Sequence, residues 1–254
     1  MPATRDHKPR PPAGERVYGL AAAFAVMRTR PDQVLSIAHT VAARMPLADM
    51  LSHAARLRIA YREVGDEELA KMAGTLHHEG VCLLVRPRKN ASLSELARLT
   101  EPRGLIVALD QVGNPHNVGA VLRSAAFFGA SGVLACSGEQ GKSALTPAAT
   151  RVAEGGAELM LISQGDALGP ALQRLQESGL HIVGSDVRAP TTLAALRWPE
   201  RCVLVLGSED RGLTPQVRKA CNTLVRIEGS GALESLNVSV AAGVLLASYA
   251  ATRS

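Results

Sequence analysis

Between Glu15 and about Arg28 apolar residues recur at helical spacing, and Gln33–His39 then alternates as a half-buried strand does. Helical spacing returns over Pro46–Leu57, and short strand-like runs follow near Arg58–Tyr61 and at Val81–Val85. These elements predict a small α/β unit over residues 15–88. The run Arg86-Pro87-Arg88-Lys89-Asn90 breaks the pattern and opens a connector, residues 89–103, that carries a short helix at Leu93–Leu99. Ahead of all this, residues 1–14 combine proline and positive charge with almost no apolar content, the composition of a disordered basic arm.

Residues 104–254 have a different pattern. Leu105–Leu109, Gly132–Cys136, Leu180–Gly184, Cys202–Leu206 and Thr223–Ile227 are short apolar runs, and helical stretches lie between most of them. Unbroken apolar strands separated by helices predict a mainly parallel sheet covered on both faces. The last helix, Leu236–Ala250, is apolar nearly all round, so it is expected to be buried on both sides in a core or a subunit interface. In such sheets ligands bind beyond the carboxyl ends of the strands. Three polar, glycine-bearing segments stand there: Asp110–Asn117, Gly207–Gly212 and Glu228–Ser235.

Composition narrows the class. The chain has 254 residues, 46% hydrophobic and 20% charged, which suits a folded globular protein of one large or two smaller domains. Its net charge of +5 is unevenly placed: residues 1–104 hold 16 Lys and Arg against 11 Asp and Glu, while residues 105–254 hold 12 against 12. A basic part joined to a neutral part suggests that the first grips a polyanion. Cys82, Cys136, Cys202 and Cys221 have no metal-ligand spacing and read as buried reduced thiols, with no metal expected. Val17–Met27 superficially imitates a signal peptide, but Arg28 and Arg30 follow at once and the stretch reads better as a first amphipathic helix. No run approaches the roughly 18 apolar residues of a membrane span, so the expected compartment is the cytoplasm.

At the first strand end Asn117 is a good N-cap for a helix over Val118–Phe128, with Gly129 as its stop. Arg123 lies about a turn and a half inside, where a guanidinium either reaches back toward the strand-end crevice or pairs with a local carboxylate. The second segment offers main-chain groups at Gly207 and Gly212 with Glu209 between them. In the third, Gly229 and Gly231 begin a GxGxxG pattern, but Glu234 occupies the third position and the dinucleotide fingerprint is absent. That disfavours a nicotinamide-dependent oxidoreductase.

Read together, Asn114–Ser124 (NPHNVGAVLRS), Leu204–Leu213 (LVLGSEDRGL) and Ile227–Gly243 (IEGSGALESLNVSVAAG) resemble the three ordered motifs of the SpoU/TrmH family of RNA ribose methyltransferases. The first part is similar to that family's small substrate-binding domain with a ribosomal-protein-like α/β fold, on Val17–Ala23 and Gly74–Val81. His77-His78 in the latter reads as packing or surface. The resemblance implies a C-terminal domain with a deep trefoil knot, S-adenosylmethionine held by Gly207, Ile227 and Leu236 through backbone groups, and a catalytic surround of Asn117, Arg123, Glu209, Ser235 and Asn237. It further implies a homodimer and transfer of a methyl group to a ribose 2′-hydroxyl of ribosomal or transfer RNA, ribosomal RNA being favoured. The family often has Pro-Met after the isoleucine, where this chain has Glu228-Gly229, so the rim of the pocket differs. The competing reading is a structured-RNA-binding protein that keeps the pocket without turnover.

Overall fold

A computed structural model describes residues 14–136, 145–165 and 167–252, so the arm expected over residues 1–14 lies, except for Gly14, outside the described residues. In chain order the first elements are β1 (Glu15–Tyr18), α1 (Leu20–Thr29), β2 (Val34–His39), α2 (Ala48–Arg56), β3 (Ala60–Glu63), α3 (Asp66–Ala73), β4 (Val81–Val85) and α4 (Leu93–Leu99). Then come β5 (Gly104–Asp110), α5 (Pro115–Phe127), β6 (Gly132–Cys136), α6 (Pro147–Val152), β7 (Leu161–Gly165), α7 (Leu168–Glu177) and β8 (His181–Ser185). The chain ends with β9 (Thr191–Thr192), β10 (Arg201–Gly207), α8 (Pro215–Ala220), β11 (Thr223–Arg226) and α9 (Val238–Ala251).

Several elements depart from the sequence pattern. Glu15–Tyr18 is a strand, not the start of a helix: it pairs antiparallel with β4, and Gly19, at φ 93°, turns the chain into α1. That backbone conformation suits glycine, and a Cβ at Gly19 would lie 2.9 Å from Arg151 Cγ. β3 begins later than expected because Arg58 takes φ 59° and closes α2 first. The short α3 escapes a periodicity reading since only Leu69 and Ala73 on it are buried; three acidic residues in its first turn and Gly74 in the left-handed region delimit it instead. β7 and the two-residue β9 are also additions.

β1, β4, β2 and β3 form a four-stranded mixed sheet in that order, with α1 and α2 packed against Val17, Ile37, Val81, Leu83 and Val85. The other seven strands form an all-parallel sheet in the order β7-β6-β5-β10-β8-β11-β9. Its apolar runs still obey the two-residue period. Leu105, Val107, Leu109, Leu204 and Leu206 face α5, α6 and α9, whereas Ile106, Ala108, Val203 and Val205 face α4, α7 and α8. Both faces are thereby covered. α9 is buried through Val238, Ala242, Leu245, Leu246 and Tyr249, but Val240 (51% exposed) and Val244 lie open, so a single chain does not bury it on both sides. No helix among the described residues is long and apolar enough to cross a membrane.

The two sheets are joined by a docked seam. Asn90 exchanges hydrogen bonds with the main chain of Gln164, Ala91 N–H donates to Ile162 O, and Leu96 is fully buried against the parallel sheet. Gly155, at φ 85°, lets α1 approach so closely that a Cβ there would lie 2.6 Å from Ala25 Cβ. At the centre is Glu158, its side chain 1% exposed. It accepts from Arg30 Nε (2.9 Å) and Nη2 (3.2 Å) and from Arg88 Nη2 at 2.6 Å. Burial pulls the Arg88 guanidinium below its usual range, and the Glu158 charge opposes that pull. Removing the carboxylate leaves two arginines without their ion-pair partner at a half-buried seam, Glu15 being the remaining negative charge that acts on Arg88. Glu158→Ala is therefore expected to lower the unfolding free energy by about 3 kcal/mol and to speed proteolysis between Arg86 and Ser92. Urea unfolding and limited trypsinolysis measure these, and a variant as stable and resistant as the parent would contradict the seam's role.

Candidate active site

The carboxyl ends of β5 and β10 lie side by side, with Gly207 in register with Asp110. Beyond β10 the chain makes a tight loop. Ser208 and Gly212 pair across it, with Gly212 N–H to Ser208 O at 2.9 Å, and Gly212 takes φ 65°. The loop's returning main chain packs so close that a Cβ on Gly207 would sit 2.2 Å from Gly212 C. No other residue fits at 207, and Glu209 is carried at the tip as a result.

Glu209 Oε1 accepts from Asn117 Nδ2 at 3.0 Å, from Val238 N–H at 3.1 Å, and from Asn237 Nδ2 in a short contact. Asn237 Nδ2 also donates to Asn117 Oδ1 at 3.1 Å, while Asn237 Oδ1 caps α9 through Ser239 N–H at 2.9 Å. The carboxylate thus meets the positive end of α9 and fixes the orientation of two amides. Asn117 has this freedom because it is not the N-cap of its helix. Asn114 holds that place, accepting from His116 N–H at 2.9 Å, with Pro115 at the first helical position. Proline's fixed φ moves the start of the helix three residues earlier than the pattern of polar residues suggested.

Asp110 is a further group at this end that does not stand among the expected site residues. It is buried, and its Oδ2 accepts from Thr214 N–H at 2.6 Å, which holds the far end of the 208–213 loop. The signal for it was a lone acidic residue closing an apolar strand. Burial raises its carboxyl above the ordinary range, with the Thr214 hydrogen bonds opposing.

The remaining expected residues divide. Gly207 stands at the strand end as described. Ile227 follows β11 and packs on the core beneath α5 and α9. Leu236 and Ser235 are exposed in the segment between β11 and α9, which contains neither helix nor strand. Arg123 is apart from the amide cluster. Its side chain is 59% exposed and its Nη1 lies 2.7 Å from Glu154 Oε1, beside a cleft of about 250 Å³ that Gly19, Glu79 and Arg151 also line. Glu154, at φ 47°, comes from the turn after α6 and was not foreseen. Of the thiols, burial pushes Cys82 up to about 11 and Cys202 and Cys221 up to about 12, so they are neutral and unreactive at ordinary pH. Among the described residues no group of three or more His, Cys, Asp and Glu side chains is placed to hold a metal.

A sequence profile of the SpoU rRNA Methylase family matches residues 104–247, and one for RNA 2′-O ribose methyltransferase substrate binding matches residues 16–91. The chain is 34% identical over 234 residues to YfiF of Escherichia coli O157:H7, named as an uncharacterized tRNA/rRNA methyltransferase; the match covers 92% of this chain and 67% of that protein. A tRNA/rRNA methyltransferase of Haemophilus influenzae, likewise described as uncharacterized, is 36% identical over 237 residues, 92% of this chain and 66% of that protein. The chain thus spans about two thirds of the length of these relatives. Among solved structures, the SpoU methyltransferase AviRb of Streptomyces viridochromogenes in complex with AdoMet superposes with a TM-score of 0.79 at 19% identity, covering 94% of this chain and 90% of that one. An AdoMet-bound rRNA methyltransferase of Sinorhizobium meliloti gives 0.73 at 18% identity, covering 94% and 87%. At these identities the likeness is one of fold.

Two outcomes test the geometry. Glu209→Ala removes the acceptor of Val238 N–H, and deuterium exchange at that amide is expected to accelerate about tenfold, the equivalent of about 1.4 kcal/mol; unchanged exchange would mean the helix start is held otherwise. Asp110 retains its proton more readily folded than unfolded. Between the ordinary carboxylate range and its raised value the native state therefore binds more protons, and stability falls as pH rises through that window. Asp110→Asn lacks this slope. Urea unfolding at pH 3 and pH 7 should show the parent losing ground to the variant at the higher pH, and the reverse trend would refute the burial argument.

Proposed function

The chain belongs to the SpoU rRNA Methylase family, and from that premise we propose that it transfers a methyl group from S-adenosylmethionine to a ribose 2′-hydroxyl of RNA, with ribosomal RNA as the preferred acceptor and transfer RNA second. The observation that carries this reading is the meeting of Asn117, Glu209 and Asn237 on one carboxylate oxygen at the strand ends. Around it the backbone is open: Gly113, Gly229 and Gly231 have nothing within 4 Å of where a Cβ would stand. In this reading main-chain groups of Gly207, Ile227 and Leu236 would hold the adenosyl and amino-acid parts of the methyl donor. When bound, the sulfonium supplies an electrophilic methyl that needs an in-line oxygen nucleophile and no metal.

The chain's own work is then to orient and to stabilise charge. Glu209 fixes Asn117 and Asn237 so that their amides face the reacting groups, and Ser235 on the neighbouring loop adds a hydroxyl. Arg123 is assigned to the acceptor. Its ion pair with Glu154 is exposed and worth about 1 kcal/mol or less, so an RNA phosphate exchanges for the glutamate at little cost. The guanidinium then clamps the phosphate and stabilises the alkoxide as it develops; it is too weak an acid to serve as the base.

Further parts of the reading follow from the same elements. The strand order β5-β10-β8-β11 and the return of residues 227–238 to Asn117 and Glu209 support a trefoil knot in the parallel domain. The open apolar face of α9, Val240 and Val244, with Leu233 and Leu236 beside its start, supports a homodimer built on that helix. The unit over residues 15–88, with the basic residues that flank it in 1–104, engages RNA, and the cytoplasm is the compartment in which such RNA is met.

Arg123→Ala tests the assignment. Transfer of methyl label to RNA is expected to fall at least a hundredfold, while calorimetry finds S-adenosylmethionine affinity within about twofold of the parent. Unchanged turnover would remove Arg123 from catalysis. Donor binding by the parent without any transfer would favour the binding-protein reading, and NAD binding in place of the donor would refute both.

A further inference from the structure

A second concavity lies in the N-terminal unit, remote in sequence from the strand-end cluster. It is a groove of about 450 Å³ between α2 and the edge strand β3. That volume is within the range of small-ligand sites, whereas the cleft at Arg123 falls below it. His39 and Leu51 in its lining are buried; Arg44, Met45, Tyr61, Arg62 and Glu63 are among the exposed walls.

The composition of those walls is unusual for this chain. It has only three tyrosines, three phenylalanines and one tryptophan. Tyr18 and Tyr249 are buried, and Tyr61 alone among the tyrosines presents its ring, 47% exposed, on a strand whose four residues all face solvent. Met45 beside it is 81% exposed, with Val41 and Leu57 also open nearby. Charge accompanies the apolar surface. From Val41 to Glu63 there are four arginines, Arg44, Arg56, Arg58 and Arg62, against Asp49 and Glu63; all four are exposed, and Arg44 and Arg62 line the groove together with the one carboxylate Glu63. Arg62 is paired with Glu68 at 2.8 Å, but both side chains are more than half exposed, and such a pair gives way to a phosphate.

An aromatic face and an unbranched thioether between guanidinium groups, at a free sheet edge, match the needs of an unstacked base with its flanking phosphates. The two guanidinium groups at the groove, Arg44 and Arg62, flank the ring of Tyr61 as phosphates flank a base. We propose that the groove between α2 and β3 binds one unpaired nucleotide of single-stranded RNA, its base stacked on Tyr61 against Met45 and its phosphates on Arg44 and Arg62. This rests on the reading of the chain as an RNA-modifying enzyme and adds to it a second contact, by which the acceptor RNA is selected for an unpaired segment.

The test uses the full chain, a fluorescein-labelled single-stranded oligoribonucleotide of mixed sequence, and the blunt duplex formed with its complement. Tyr61→Leu is expected to weaken single-strand binding about tenfold or more and duplex binding less than about twofold, whereas Tyr61→Phe stays within about twofold on both. Arg44→Gln should lower the slope of log affinity against log salt by about 0.7, and this arm stands even if Tyr61→Leu fails to fold. Parental single-strand affinity in Tyr61→Leu, an equal loss on the duplex, or no single-strand binding by the parent would overturn the groove assignment. Methyl transfer is read separately. Transfer with tyrosine-independent binding removes the groove alone, and tyrosine-dependent binding without transfer removes the enzymatic reading alone.

Discussion

A single carboxylate oxygen, Oε1 of Glu209, draws together segments that lie 92 and 28 residues from it along the chain. Asn117, Asn237 and Val238 all donate to it, so the end of β10, the first turn of α5 and the start of α9 have one relative placement. Much of the local sequence serves that meeting. Gly207 and Gly212 allow the loop to double back on itself, Asp110 anchors its far side through Thr214, and Pro115 with Asn114 starts α5 early enough to free the Asn117 amide. A charged acceptor suits the position because the first-turn N–H groups of a helix attract negative charge and two fixed amides cannot both be satisfied by a neutral oxygen as well.

The second constraint is the seam. The Arg30–Glu158–Arg88 triad, the close approach at Gly155 and the Glu79–Arg151 pair hold the N-terminal unit against α6 and the turn that follows it. Arg123 stands beside that seam, at the small cleft, so a residue of the parallel domain faces the basic one. Under the proposed function, an RNA gripped by the first unit would pass the guanidinium assigned to its phosphate. The Glu154 pair keeps that side chain ordered without committing it, since it is exposed and weak.

The parallel sheet was legible because its strands are continuous apolar runs, and five of its seven strands fall within a residue or so of where hydrophobicity placed them. β7 and β9 were not: Leu161 is exposed, the buried Ser163 is polar, and β9 has two residues. The strand β1 was masked by the helix it leads into, with Gly19 as the unread boundary. For the site, motif order brought Asn117, Glu209 and Asn237 into view, and they meet. Arg123 and Ser235 do not join them in the free chain. Glu154 was invisible, because it is a carboxylate in a left-handed turn, and Asp110 had only its place as a lone acid closing an apolar strand, its partner being a main-chain N–H; neither relation has a sequence period.

The most direct measurement is the identity of the methylated atom. The purified chain is incubated with S-adenosylmethionine bearing a deuterated methyl group and with total cellular RNA from a strain lacking the chain; the RNA is then digested to nucleosides and weighed by mass spectrometry. The account predicts deuterium in 2′-O-methylnucleosides, with the label on the sugar fragment. Label on a base, or none at all from a protein that binds the methyl donor, would contradict it.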